Sequence, residues 1–547
     1  YTVTTAAPTL TTTPSVLEHS GDNVTVTWAG ITAPSAKDVV SLTLEGRVLG
    51  YLNVTESSTF ASGAGSITLP FVNMRASFTL QYHDAGGATL ATATLQPADV
   101  REITQVHIAL TAEVTTMQVN WASADNESHV VEWGASPSAL SNTAAATSKT
   151  YDASDMCAGP ANSSSSFFSP GFLHEATIAH GFTSPTTVFY KVGSPSTGHF
   201  SPVYSFVTPR VPSRDAGARM VVFGDMGVLM PYVTEQEQQP PAKKTIKLIG
   251  EEVDAAAAAN EDVVVFHIGD ISYARGWAYI WEQFMSQIQG VASKAAYMVG
   301  IGNHEYDYLA APYRPTWAGY GSDSGGECGI PYGARFTMPS HSPSNPNLYY
   351  TVDVGNVHVI MYSTEHDFLE GSEQYKFIES DLASLNRTQS PFVIIMGHRP
   401  MYSSSGGANV GIGTNEGRVD DHLRASLQML SLKYDVTMFI TGHVHVYEST
   451  CRLVGNFTCA QTESEGGFVH VTAGNAGNVY QPDWASDLPQ SPALQNSGHH
   501  NQPDWSLFRT MNFGYTRINT NTTHLTLEFV GAQRGMVHDT IVLESRY

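Results

Sequence analysis

The sequence predicts an α/β unit, a βαβαβ succession with two packed mixed sheets flanked by helices, preceded by two all-β sandwich domains. Three observations carry that prediction. Period-two alternation of apolar and polar residues dominates to about residue 210. A linker by composition, Pro209 to Ala218, then interrupts it. Beyond the linker, short unbroken apolar runs alternate with helical stretches, as strands buried on both faces do. At 547 residues the chain exceeds a single core and suits about three domains, expected at 1–98, 99–210 and 211–547.

Residues 1 to about 20 are rich in Thr, Ala and Pro and read as a flexible or extended leader. From Asn23, Val-Thr-Val-Thr-Trp28 alternates with period two, as does Val39 to Leu44. Gly- and Ser-rich turns separate such runs to about Leu95, the pattern of a small β-sandwich. It contains no ligand cluster, so a structural or docking role is expected. In the second unit, Gln105 to Leu110 and Met117 to Trp121 read as paired strands and Val130 to Trp133 as a third. Val188 to Val192 and Tyr204 to Val207 complete a fibronectin III-like sandwich, with a long loop holding Cys157 and Ser163 to Ser166 between. His107 alternates with apolar neighbours and is expected to be a satisfied structural histidine.

In the third unit, Met220 to Phe223 is a short buried strand ending in Gly224-Asp225-Met226-Gly227. Thr245 to Ala259 is helical. Val263 to Ile268 is a strand followed at once by Gly269-Asp270-Ile271-Ser272-Tyr273-Ala274-Arg275-Gly276. A helix from about Ala278 to Gln289 leads to the strand Tyr297 to Ile301, which ends in Gly302-Asn303-His304-Glu305. Residues 306–347 form a Gly/Pro/Tyr-rich excursion, and Tyr349 to Val354 with Val357 to Tyr362 a hairpin. Phe392 to Met396 ends at Gly397-His398-Arg399-Pro400, and Val436 to Ile440 near Gly442-His443-Val444-His445. Phe468 to Thr472, Tyr515 to Ile518, Leu525 to Phe529 and Thr540 to Leu543 add strands.

The formal net charge of −23 argues against nucleic acid, whose phosphates need basic surface. A small anionic substrate stays open if its pocket is locally positive. No apolar run approaches the ~20 residues of a membrane span. The chain opens at Tyr1 without a signal-peptide pattern and reads as a processed form. Of the four cysteines, Cys451 and Cys459 flank Gly455-Asn456 and suit a hairpin-closing disulfide; Cys157 and Cys328 remain to pair or to stay free. Asn-x-Ser/Thr sequons occur at Asn23, Asn53, Asn126, Asn162, Asn386, Asn456 and Asn521. Together with paired cysteines they favour a secreted or cell-surface glycoprotein, with a vacuolar location the other option.

Five strand ends carry ligand-type residues: Asp225; Asp270 with Tyr273; Asn303 with His304; His398; His443 with His445. Carboxylate, phenolate, amide and imidazole are ligands for hard or borderline metals. There are too many for one ion, and Asp270 could bridge two.

This motif set resembles the signature of purple acid phosphatases within the metallophosphoesterases, over the stretch from about Met220 to the end and the preceding sandwich. Gly-Asp-Ile-Ser-Tyr-Ala-Arg-Gly and Gly325-Gly-Glu-Cys-Gly329 look most like larger plant-type members with an extra N-terminal domain. The resemblance implies Fe(III) bound by Asp225, Asp270, Tyr273 and His445. It implies a divalent Zn, Mn or Fe bound by Asp270, Asn303, His398 and His443. It further implies an acid phosphatase, a phosphoric monoester hydrolase, working by attack of metal-bound hydroxide with His304 as acid or phosphoryl contact.

One departure matters. Many plant members carry a His-His pair about nine residues after the His398 equivalent; here that place reads Gly407-Ala408. Arg275, Tyr306 and His366 are the candidate substitutes, while His499-His500 reads as a solvated pair. A phosphodiesterase or nucleotide pyrophosphatase on the same site is the alternative enzyme, and a non-catalytic surface binding protein the alternative outside enzymes.

Overall fold

The computed structural model describes residues 7–234, 236, 238–315, 321–340, 342, 344–404, 419–479 and 502–547. Two mixed sheets organise the C-terminal half. The larger, ten-stranded sheet holds Arg219–Phe223, Val264–Ile268 and Ala296–Gly300 as parallel neighbours, continued by the antiparallel Gly514–Thr520, His524–Gly531 and Met536–Glu544. The smaller, seven-stranded sheet holds Val357–Met361, Phe392–Gly397, Met438–Thr441 and Phe468–Ala473 in parallel. Tyr350–Val354 pairs antiparallel at one of its edges, Tyr447–Leu453 and Ser506–Thr510 at the other.

The apolar runs are unbroken because each strand meets two cores. Along Phe392–Gly397, Ile394 and Met396 join the main core with Val265 and Val299. Val393 and Ile395 face a second core with Ile378, Leu423 and Leu430, supplied by helices Glu373–Ser384, Val419–Ala425 and Leu427–Lys433. Helices Pro240–Ala258 and Ala278–Ala292 serve the larger sheet. Ile246, Ile249 and Val253 of the first are buried at helical spacing in the main core.

The N-terminal unit is a sandwich of a three-stranded and a five-stranded sheet. The expected leader is overturned in part: Thr9–Thr13 is a strand paired with Asn23–Ala29, and Val16–Leu17 pairs with Thr89–Pro97. Leu10 and Thr12 alternate inward although the segment is mostly Thr. The partner strand, with buried Val24, Val26 and Trp28, supplies most of the apolar surface.

The second unit is the expected all-β two-sheet unit, with Val130–Gly134, Asn142–Ala145, Thr187–Ser194, His199–Phe200 and Tyr204–Val207 in one sheet, but its other sheet does not end at the unit's edge. Thr104–Leu110, Thr116–Ser123, Phe172–Ala179 and Thr147–Lys149 extend the larger sheet, joined to it where Ile108 lies parallel to Ala296. The stretch expected as a loop around Cys157 therefore contains strands, and every residue of Thr104–Leu110 is buried. His107 turns its ring nitrogens to the carbonyls of Gln105 and Arg335, at 2.7 and 2.9 Å. Disulfides join Cys451 to Cys459 and Cys157 to Cys328. Among the described residues no helix is long and apolar enough to cross a membrane.

Candidate metal centre

The carboxyl ends of parallel strands from both sheets meet at one point. Gly224 N–H donates to Ala473 O and Gly442 N–H to His398 O, each at 2.8 Å, stitching the strand ends together. Asp225, Asp270, Tyr273 and His443 hold left-handed backbone, at φ of 61, 50, 53 and 68°. Non-glycine residues adopt this only where their surroundings impose it. Close approach also demands glycine: a Cβ on Gly302 would fall 2.3 Å from Asp270 Oδ1, and one on Gly442 2.5 Å from Asp225 Oδ2.

Two donor clusters share Asp270. In the first, the Tyr273 hydroxyl lies 3.1 Å from Asp225 Oδ1, 3.2 Å from Asp270 Oδ2 and 3.0 Å from His445 Nε2. In the second, His398 Nε2 lies 3.1 Å from Asp270 Oδ1 and 2.9 Å from Asn303 Oδ1, and His443 Nδ1 lies 2.9 Å from the same amide oxygen. Asp225–Asp270–His445 and Asp270–His398–His443 each bring their ligand atoms within 4.8 Å of one another. All but His443 are buried.

The chemistry of this donor set fits cations. His398 Nδ1 faces the carbonyl of Ile268 at 3.1 Å, so the ring's ordinary proton belongs there. Its Nε2 lone pair then confronts two oxygen acceptors, a repulsive arrangement unless a second proton or a metal ion intervenes. Burial alone would depress His398; the carboxylates of Asp270 and Asp225 override it and raise it to about 10. Burial, with Asp225 and Asp270, pushes the Tyr273 phenol well above its ordinary value. A phenolate there calls for a strongly charged cation.

Neighbouring groups fix these donor side chains in place. Glu305 accepts the N–H groups of Asp270, Ile271 and Gly302 at 2.9, 2.8 and 3.0 Å, tying two strand ends together. His304 donates its N–H to Asp270 Oδ1 at 3.0 Å and turns Nδ1 to Asp323 O at 3.1 Å. Arg399 is buried and forked onto Glu365, with Nε–Oε1 2.8 Å and Nη2–Oε2 3.2 Å, and reaches His443 Nε2 at 3.4 Å.

Of the proposed substrate contacts, the Arg275 guanidinium stands 5.7 Å from the Tyr273 ring centroid. Tyr306 and His366 contact each other at 4.3 Å, with Tyr313 stacked on His366. Gly407-Ala408 and His499-His500 lie outside the described residues. Sequence reasoning passed over Asp323 and Glu365, which sit in loops without motif. Glu305 and Arg399 stand inside motifs, but the partners that give them a role come from distant parts of the chain.

Strand ends of this kind on an α/β sandwich define a calcineurin-like phosphoesterase, and residues 218–447 match that domain family. Residues 103–208 match the purple acid phosphatase N-terminal domain, and residues 467–540 the family described as iron/zinc purple acid phosphatase-like protein C. The chain belongs to the purple acid phosphatase family. It is 36% identical to the Arabidopsis thaliana protein named probable inactive purple acid phosphatase 9, over 97% of this chain and 85% of that one. It is 32% identical to a nucleotide pyrophosphatase/phosphodiesterase of Hordeum vulgare, over 63% of this chain and 88% of that one. A purple acid phosphatase from yellow lupin (Lupinus luteus) seeds superposes with TM-score 0.83 at 27% identity, covering 98% of this chain and 96% of that one.

Proposed function

We propose that the protein is an acid phosphatase hydrolysing small phosphate monoesters, with Fe(III) held by Asp225, Asp270, Tyr273 and His445. A divalent Zn, Mn or Fe ion would be held by Asp270, Asn303, His398 and His443. The observation carrying this reading is the division of donors about Asp270, one carboxylate oxygen serving each cluster. Such an ion pair, when bound, polarises an ester oxygen and makes water reactive at low pH.

The chain's own groups do the rest. His304 has its N–H and Nδ1 committed, so Nε2 is the atom left to meet a phosphoryl oxygen or a leaving group. Arg275 brings positive charge close to the cluster, which supports phosphate binding within a chain of net charge −23, whereas the charge of Arg399 is balanced by Glu365. The exposed asparagines of all seven sequons and the two disulfides support a glycosylated, extracellular or vacuolar protein. Domain limits near residues 98 and 210 belong to the same proposal.

A diesterase or nucleotide pyrophosphatase is the second reading. The name of the barley relative favours it, as does the ring cluster of Tyr306, Tyr313 and His366, which suits an aromatic group. The name of the Arabidopsis relative raises a third, a non-catalytic protein. Elemental analysis of the purified chain, with 4-nitrophenyl phosphate and bis(4-nitrophenyl) phosphate assayed at acid pH, separates the three. Iron plus a divalent metal and faster monoester turnover are expected. Faster diester turnover would favour the second reading, and a metal-free, inert chain would end the enzymatic one.

A further inference from the structure

We propose that Asp323 is the positioning residue that turns Asn303 and His304 toward the reacting centre; the inference rests on the two-ion reading above. An asparagine amide has a carbonyl oxygen that can ligate a cation and an amino group that cannot. In the structure Asn303 Oδ1 faces His398 Nε2 and His443 Nδ1, both at 2.9 Å. Its Nδ2 donates to Asp323 Oδ2 at 3.0 Å. Reversing the amide would press Oδ1 against that carboxylate, acceptor against acceptor, and aim a donor at the ligand cluster. The negative charge of Asp323 thus selects the one orientation in which Asn303 can be a ligand. Groups behind metal-binding side chains commonly act in this way.

The main chain of the same residue orients His304. Its Nδ1 lies 3.1 Å from Asp323 O, a carbonyl that can only accept, so the neutral ring carries its proton there. Nε2 is left facing the centre, 3.8 Å from Asp270 Oδ2, and is the atom at which the imidazolium form carries its second, transferable proton. One residue, 20 positions beyond Asn303, therefore sets two neighbouring side chains at once.

The segment that bears Asp323 is held on three sides. Gly321 N–H donates to Asp307 Oδ2 at 2.7 Å, and Ser324 N–H to Asp307 O at 3.0 Å. Gly329 N–H donates to Glu305 O at 2.7 Å. The Cys157–Cys328 disulfide and a 2.9 Å bond from Cys157 N–H to Gly326 O fasten it to the second β unit. A support anchored in this way can hold an amide plane.

The test compares full-length wild type, Asp323→Ala and Asp323→Asn, titrated with buffered Zn(II) and followed by elemental analysis and circular dichroism. Asp323→Ala should weaken zinc binding about 10–100-fold, with iron content and visible spectrum unchanged. Asp323→Asn keeps an acceptor oxygen but can also turn its own amino group toward a reversed Asn303, so it should recover only part of that loss. In an Asn303→Ala background, Asp323→Ala should cause no further change, because its partner is gone. Should Asp323→Ala not fold, Asp323→Ser, polar but too short to reach, replaces it with the same expectation. Zinc affinity of the variant within about twofold of wild type, or an undiminished loss in the Asn303→Ala background, overturns the role of Asp323 alone. A folded wild type that takes up no metal overturns the two-ion reading and this inference with it.

Discussion

The Tyr273 hydroxyl stands between two buried carboxylates and an imidazole, every contact at 3.0–3.2 Å. A phenol so placed ionises only if a cation more than offsets the adjacent negative charge, and with the proposed Fe(III) as that cation visible colour reports on ligation. Tyr273→Phe should keep its far-ultraviolet circular dichroism and lose visible absorption. A variant that stayed fully coloured would remove Tyr273 from the ligand set. His304 is a different case, because its ring touches the site without belonging to either donor cluster. His304→Ala should retain both metals while kcat falls about 10²–10⁴-fold, the usual size of a lost proton-transfer group. Undiminished kcat would refute that role.

The hairpin Tyr350–Val354/Val357–Met361 and the helix Glu373–Ser384 are joined by one histidine. His358 Nδ1 meets Asp353 Oδ1 and Nε2 meets Asp381 Oδ2, both at 2.7 Å. Burial would depress His358, but the two aspartates override it and raise it to about 9. The folded value lies above the unfolded one. The stabilisation is therefore complete below about pH 6.5 and disappears as pH climbs through about 9. The shift corresponds to roughly 3 kcal/mol. Asp353 is 38% exposed, and its share is screened, so about 2 kcal/mol is the fairer figure. His358→Gln should cost that much in denaturant melts at pH 6 and little at pH 9.5; equal losses at both would sink the assignment. Elements like this helix were hard to read in advance. Glu373–Ser384 buries only Gln374, Tyr375, Ile378 and Leu382, too sparse a stripe to stand out from loop. Thr9–Thr13 is illegible for a related reason, since its pairing strand, not its own composition, makes it a strand. The central strands were legible because both their faces are buried, and the converging side chains because each follows such a run. Asp323 was not, because only folding brings it beside Asn303.

At the scale of the whole molecule, three units meet on one buried carboxylate. Glu282, on the helix Ala278–Ala292, accepts Arg75 Nη2 from the first sandwich at 2.8 Å and Gln105 Nε2 from the second unit at 2.7 Å. It also accepts Arg335 Nη2, from the excursion after the site, at 2.9 Å. Arg335 in turn donates to Gln105 Oε1 at 2.6 Å, closing the network. Burial would raise Glu282; the two guanidinium groups outweigh it and hold the carboxyl below its ordinary value. An apolar core of the same shape could be as stable, but removing one partner from a buried ion network strands the others. Glu282→Ala leaves Arg335 only 2% exposed and without its carboxylate. That variant should lose about 3–5 kcal/mol, and Glu282→Gln, which still accepts hydrogen bonds, should lose less. Because the larger sheet runs unbroken from the second unit into the third, wild type should melt in a single transition. In Glu282→Ala the first sandwich, which loses its Arg75 anchor, should melt ahead of the rest. Calorimetry decides the matter: a variant whose midpoint and shape match wild type would show that the units are held together by their apolar contacts and the shared sheet, with Glu282 merely satisfied between them.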